Sequence, residues 1–228
     1  MRNTFEVSQN LYTIKKNTNQ YIPDFVDPRI YIVSKWMGEN HKILDAGCYD
    51  GTYSALFKKG NNTVYGIDAS KDGVARAKNL GVIATVGDLE ATFPYKDAFF
   101  DIVHAGEVIE HLYDTDTFLQ ECKRVLKKGG HLIITTPNVV SLPRRFFYFF
   151  GNGKFFEASN TLSTEEKAVG HIRFFYKDLL KNFVERDGFR MINYTSDVVN
   201  FPGGFAWSWL AKVKPTFGRL LIMRFEKL

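Results

Sequence analysis

Short apolar runs alternate along the chain with longer amphipathic stretches. Lys42–Ala46 (KILDA), Thr63–Ile67, Val82–Val86, Phe100–His104 and His131–Thr136 are continuous enough in apolar character to be strands with both faces buried. The stretches between them have helical spacing. Thr52–Lys59 puts Tyr53, Leu56 and Phe57 on one side and meets Gly60 as a stop. Ser70 is an N-cap for a helix carrying Val74, Ala75 and Lys78, which Gly81 ends. Asp114 or Asp116 caps a helix with Phe118, Leu119, Cys122, Val125 and Leu126 as its stripe, and Gly129-Gly130 ends it. Strands alternating with amphipathic helices predict βαβ units and a mostly parallel α/β sheet, doubly wound because crossovers are right-handed.

The flanks are less regular. The opening segment, through about Pro28, is polar, and Ile30–Met37 reads as a short helix, so residues 1–40 are expected to form an N-terminal cap of helices. After Pro137 the alternation stops until about His171. Tyr176–Arg186 then reads as a helix stopped by Gly188, and Arg190–Thr195 and Leu220–Phe225 as two last strands with a short helix over Phe205–Val213 between them. Residues 41–228 are therefore expected to be one domain, with an aromatic-rich insertion at 139–170.

Composition narrows the class. A chain of 228 residues with 45% apolar and 24% charged residues can bury a core without a metal or disulfide. Cys48 and Cys122 stand far apart, with no CxxC and no His cluster, so no metal site and no disulfide framework is expected, in keeping with a reducing compartment. The net charge of +5 is scattered rather than gathered into a stripe, which argues against nucleic acid as a partner. The N-terminal residues lack a signal-peptide core and no run is long enough to span a bilayer, so the expected location is the cytoplasm.

The chemistry-bearing residues fall at the expected strand ends. Asp45 lies near the end of the first strand, Asp68 follows the second, Asp88 the third, Gly106 and Glu107 the fourth, and Asn138 the fifth. Ligands of open parallel sheets bind beyond those ends. The first turn runs Asp45-Ala-Gly47-Cys-Tyr49-Asp-Gly51, in which Gly47 permits a tight turn and Gly51 a close helix start. An acid about 20 residues on, Asp68, is placed to accept from a ribose diol. Each feature alone has a plain structural alternative, a simple strand–helix turn or a capping aspartate. The dinucleotide fingerprint requires a middle glycine where Tyr49 stands, which favours a nucleoside ligand without a pyrophosphate.

Ile43–Thr52 (ILDAGCYDGT), Tyr65–Ser70 (YGIDAS), Gly87–Glu90 (GDLE), Phe100–Leu112 (FDIVHAGEVIEHL), Val125–Gly130 (VLKKGG) and Leu132–Asn138 (LIITTPN) together resemble the class I S-adenosylmethionine-dependent methyltransferases. The branch they most resemble holds ubiquinone-biosynthesis O-methyltransferases, sugar and glycan methyltransferases and the W-type methionine-biosynthesis proteins. The resemblance covers roughly residues 40 to 190. It implies a Rossmann-like, doubly wound seven-stranded sheet, mostly parallel with an antiparallel last strand. It implies S-adenosylmethionine as cofactor and S-adenosylhomocysteine as product. By the same resemblance Asp45, Gly47, Tyr49 and Gly51 hold the methionyl end, Asp68 and Ala69 the ribose, Asp88 and Leu89 the adenine edge, and Gly106 and Glu107 the sulfonium side. Tyr49 departs from the family pattern, which has a glycine there.

Methyl transfer is an in-line displacement in which the protein mainly positions donor and acceptor. An oxygen nucleophile calls for a base. His111, an imidazole just after the fourth strand, is the first candidate, with Glu107 and Glu110 as alternates. His111 could equally be a bonded structural histidine, and His171 is expected to be one. The expected acceptor is a small molecule, a glycan or a lipid-linked compound. Two other readings stand beside this: a S-adenosylmethionine-binding regulatory or partner subunit without turnover of its own, and, less favoured, an NAD-linked oxidoreductase. In the segment Leu142–Phe156 (LPRRFFYFFGNGKFF), aromatic residues mix with Arg144, Arg145 and Lys154. It is open to three readings: packing on the domain or on a second subunit in an oligomer, a lid over the acceptor, or peripheral contact with an anionic membrane. Phe201–Trp209 adds a second aromatic cluster.

Overall fold

The computed structural model of the chain describes residues 27–152, 170–201 and 205–228. The N-terminal residues before 27, and the insertion residues Lys154, Phe155 and Phe156, lie outside the described residues. Helix α1 (Pro28–Trp36) begins on Asp27, whose carboxylate accepts from the Arg29 N–H, with proline at the helix start. Strand β1 (Lys42–Ala46), β2 (Thr63–Asp68), helix α2 (Lys71–Asn79), β3 (Ile83–Val86), β4 (Phe100–Gly106), helix α3 (Thr115–Val125) and β5 (Leu126–Pro137) follow. Ser70 caps α2 through the Gly73 N–H, and Asp114, of the two expected candidates, caps α3 through the Thr117 N–H. Then come α4 (Leu142–Phe149), α5 (Lys177–Arg186), β6 (Phe189–Thr195), β7 (Val199–Phe201), β8 (Phe205–Trp207), α6 (Ser208–Val213) and β9 (Leu220–Lys227).

Seven strands form one sheet in the order β3-β2-β1-β4-β5-β9-β6. β9 runs antiparallel to both β5 and β6, and every other neighbouring pair is parallel. This is the expected α/β, Rossmann-like doubly wound sheet. The chain leaves β1 toward β2 and β3, then crosses back to β4 on the other side of β1. The order thus reverses between β1 and β4, where a crevice opens at the strand tips.

Successive residues of a strand point to opposite faces, so each central strand feeds two cores. Leu44, Val103, Leu132 and Ile134 pack with Phe118, Leu119 and Cys122 of α3 and with Leu180 and Val184 of α5. Their neighbours Ile43, Ile102 and Ile133 pack on the other face with Val33 and Met37 of the α1 region and with Val74 and Ala77 of α2. Cys48 and Cys122 are both buried and free. Among the described residues no helix is long and apolar enough to cross a membrane.

Three local expectations are corrected. The helix expected over Thr52–Lys59 is a single 3-10 turn, Ser54–Phe57. Ser54 faces inward to bond Asp45 while Leu56 and Phe57 are both buried, so this stretch has no outer face to complete an amphipathic helix. Gly129-Gly130 does not end α3. The helix stops at Val125, and the two glycines sit inside β5, where the pairing with β4 shifts between Phe100 and Ile102. A bulge needs the left-handed φ of +72° found at Gly129. The stretch Phe205–Val213 is helical only from Ser208, because Phe205–Trp207 pairs with Val199–Phe201 in a second, two-stranded sheet.

Gly51 marks how tightly the first turn is held. Its φ is +77°, and a Cβ there would lie 2.7 Å from the Ala77 backbone of α2. Gly129 has a similar φ, with open space around it. Gly51→Ala should therefore cost about 2–4 kcal/mol in urea unfolding and Gly129→Ala only about 1 kcal/mol, the difference being the clash with α2. Equal losses would show that backbone conformation alone decides both.

Candidate functional site

A cavity of about 710 Å³ opens at the β1/β4 crevice. The parallel register explains its composition: Asp45 stands opposite Gly66 of β2 and His104 of β4, so the strand tips end at one level. The cavity is lined by Asp45, Gly47, Tyr49, Asp68, Ala69, Asp88, Leu89, Gly106, Glu107 and His111. The residues that the resemblance marked for a nucleoside ligand are thus brought together, with one exception. Gly51 does not line the cavity; it lets the turn pack onto α2.

Asp68 fixes the loop opposite. Its two carboxylate oxygens accept from the Tyr49 and Ser70 N–H groups, each at 2.8 Å. Each oxygen keeps a further lone pair for a ligand hydroxyl. Tyr49 sits at φ +42°, the left-handed conformation that a glycine would adopt more easily. Its ring turns outward, 56% exposed, with the Arg76 guanidinium 5.3 Å from its centroid. The tyrosine therefore substitutes for glycine at the backbone level while most of its ring stays at the rim.

Asp45 is buried and doubly held. Ser54 Oγ donates to Oδ2 at 2.5 Å, and the His104 Nδ1–H donates to Oδ1 at 2.7 Å. His104 is itself 4% exposed, packed edge-on to Phe57, and its Nε2 has no hydrogen-bond partner among the described residues. Its ring also explains Gly106, where a Cβ would lie 2.7 Å from the imidazole Cε1. Sequence reasoning passed over His104 as a strand residue. The one available signal was a polar residue in an otherwise apolar run. Arg29 was missed as well, because it lies in the helix before the first strand. Its guanidinium lines the cavity 3.3 Å from Glu107.

Glu107 leaves β4 at φ +56°. Among the described residues Tyr49 and Glu107 are two of four non-glycine residues in the left-handed region, and both line the cavity. Such strain persists only where surrounding structure enforces it. Burial raises the Glu107 carboxyl above the ordinary carboxylate range, opposed by the Arg29 charge and the hydrogen bond from Thr135 Oγ1.

Behind the cavity wall lies a second set of groups. Glu110 is 1% exposed; burial, then the charge of Glu107, pushes its carboxyl up to about 8. Thr136 Oγ1 donates to one of its oxygens at 2.9 Å, and the other has no hydrogen-bond partner among the described residues. His171 Nε2 lies 3.9 Å from that oxygen, and the His171 ring is 4.7 Å from the His111 ring. The His111 Nδ1–H donates to the Gly170 carbonyl at 3.2 Å. Ligand atoms of Glu110, His111 and His171 all lie within 4.8 Å of one another, so these three could hold a cation. The sequence showed no metal cluster because His171 stands far along the chain and only the fold brings it to the Glu110-His111 pair.

Comparison with known proteins agrees with this geometry. Residues 44–134 match the profile of a family described as a methyltransferase domain. The chain is 39% identical over 101 residues to a probable S-adenosylmethionine-dependent methyltransferase of Mycolicibacterium smegmatis, covering 43% of this chain and 39% of that protein. It is 29% identical over 177 residues to the human mitochondrial ubiquinone biosynthesis O-methyltransferase, covering 74% of this chain and 46% of that protein. The chain therefore spans less than half the length of these curated relatives. The crystal structure of a SAM-dependent methyltransferase from Thermotoga maritima, described as a possible histamine N-methyltransferase, superposes with a TM-score of 0.65 at 19% identity, covering 98% of this chain and 93% of that one. Residues 44–134 thus match a methyltransferase-domain family, and the sheet order and superposition show the Rossmann-like fold that this chain shares with solved methyltransferases.

Proposed function

We propose that this chain methylates an oxygen atom of a small-molecule acceptor, using S-adenosylmethionine as the donor and releasing S-adenosylhomocysteine. The observation that carries the reading is the contact of His111 Nδ1 with the Gly170 carbonyl. With Nδ1–H committed to the Gly170 carbonyl, the neutral ring keeps its lone pair on Nε2, and the side chain lines the cavity. Support for oxygen as the methylated atom comes from the ubiquinone O-methyltransferase relatives.

The donor set suits the cofactor. Arg29 offers a cation for the methionyl carboxylate, Asp45 an anion for its ammonium group, and Asp68 acceptors for the ribose diol. Asp88 and Leu89 are our candidates for the adenine end, and Leu89, Val108 and Leu112 supply apolar wall. A cavity of about 710 Å³ is ample for one such nucleoside and part of an acceptor. When bound, the sulfonium supplies an electrophilic methyl group. The chain's own work is then to hold the acceptor oxygen in line and to take its proton on His111 Nε2. Glu110, mostly protonated near neutral pH, places a polar but uncharged group behind that ring.

Three outcomes follow from these roles. Asp68→Ala should weaken S-adenosylmethionine binding by about 1–3 kcal/mol in calorimetry, and an unchanged affinity removes Asp68 from the ribose site. His111→Ala should lower turnover about 100-fold or more while the cofactor affinity stays within about threefold. Parallel loss of both would make His111 a structural residue, and a wild-type chain that binds the cofactor without turnover on any hydroxyl acceptor would favour a partner-subunit role.

The third outcome is a pH effect. The raised Glu110 carboxyl keeps its proton in the folded state up to about pH 8, whereas the unfolded chain releases it near its ordinary value. Between those values the folded state binds more protons, so this group's contribution to stability falls as pH rises. Glu110→Gln should therefore gain stability relative to wild type as the buffer moves from about pH 5 to about pH 8, by a few kcal/mol at most. Melting curves of both proteins that shift in parallel across this range would refute the assignment.

A further inference from the structure

The cavity uses none of the exposed aromatic residues of α4, β7, β8 and α6, yet these lie together. On α4 and at its C-cap, Phe146, Phe149 and Phe150 are spaced so that they share one side, and Phe149 is 84% exposed. The Phe146 ring lies 5.1 Å from that of Phe150 and 6.5 Å from that of Phe201, which in turn lies 5.6 Å from the Trp207 ring. Directly after Trp207, α6 carries Trp209 and Val213 one turn apart, 63% and 75% exposed. The rings therefore run from α4 across the β7–β8 pair to the start of α6. α4 begins shortly after the end of β5, which runs parallel to β4 and so ends on the same side of the sheet as the strand tips that line the cavity.

Its charge is one-sided. Residues 138–152 and 198–219 contain Arg144, Arg145, Lys212, Lys214 and Arg219 and neither Asp nor Glu. Arg219 is engaged with Asp197, but Lys212 and Lys214 are exposed, as is Arg145, whose guanidinium reaches backbone carbonyls. Two of the readings open at the sequence level fit poorly. None of these residues lines the cavity, which argues against a lid formed by them. A two-fold contact with another copy would set the patch against itself, lysine and arginine facing the same cations. Exposed phenylalanine and tryptophan flanked by cations match the headgroup region of a negatively charged bilayer. Rings there reach the acyl boundary and lysines meet lipid phosphates.

We propose that this ridge docks the chain on an anionic membrane surface, with Phe149, Phe150 and Trp209 entering the interface and Arg145, Lys212 and Lys214 against the lipid phosphates. Such docking lies in the plane of the interface and needs no membrane-spanning helix. It also stands independently of methyl transfer, because vesicle binding is measured without cofactor or acceptor.

The test is co-sedimentation of the full chain with vesicles of phosphatidylcholine alone and of phosphatidylcholine mixed with phosphatidylglycerol. Binding to the anionic vesicles should exceed binding to the neutral ones by about 10-fold or more at ~0.1 M salt, and fall at ~0.5 M salt. The double variant Phe149→Ser, Phe150→Ser and the single variant Trp209→Ser should each lose about 10-fold or more of that binding, with melting temperature and S-adenosylmethionine affinity unchanged. Lys212→Ser with Lys214→Ser should reduce the preference for the anionic vesicles. Absence of binding, equal binding to both vesicle types, or variants that bind as the wild type does would each overturn the proposal. So would a dimer in analytical ultracentrifugation that the phenylalanine double variant abolishes, since the ridge would then belong to a second copy.

Discussion

The site depends on the parallel register of three neighbouring strands. β1 is hydrogen-bonded to β2 on one side and β4 on the other, and the pairings set Asp45 level with Gly66 and His104. Because side chains alternate with a period of two, a slip by one residue would turn Asp45 toward the opposite face and send Leu44 out of its core. Ile43 and Leu44 are both fully buried on opposite faces, so the two cores together pin that register. The chemistry at the strand tips thus inherits its precision from apolar packing.

On that frame, polar groups are held by one another before any ligand arrives. Asp45 receives Ser54 and His104, Asp68 receives two backbone N–H groups of the facing turns, and Arg29 sits against Glu107. A buried carboxylate left without partners would cost several kcal/mol; here the partners also fix its direction. The two left-handed residues at the cavity, Tyr49 and Glu107, belong to the same arrangement. Tyr49 places a large side chain on a left-handed turn, with the ring mostly passing to the surface beside Arg76.

The methyltransferase profile covers residues 44–134, less than half of the chain. Residues 44–134 contain the strand tips and the cavity wall. The remainder supplies Arg29 before the matched region and His171 and the aromatic ridge after it. These outlying residues complete groups begun within the matched region: Arg29 pairs with Glu107, and His171 joins Glu110 and His111.

The sequence by itself determined the alternation of strands and helices, and with it the doubly wound sheet. Buried strands and amphipathic helices differ in period, and that difference survives without coordinates. It also marked Asp45, Gly47, Asp68, Asp88 and Glu107, because strand tips are where open sheets bind ligands. Local signals misjudged Thr52–Lys59 and Gly129-Gly130, where an inward Ser54 and a bulge in β5 outweigh helical propensity and glycine's role as a stop. Gly51 was assigned to the ligand when its lack of a Cβ serves the contact with Ala77. Only the tertiary structure decided that His104 faces Asp45, that Arg29 reaches Glu107 and that His171 joins Glu110 and His111. Each of these pairs joins residues from separate elements, and sequence periodicity carries no information about which elements meet.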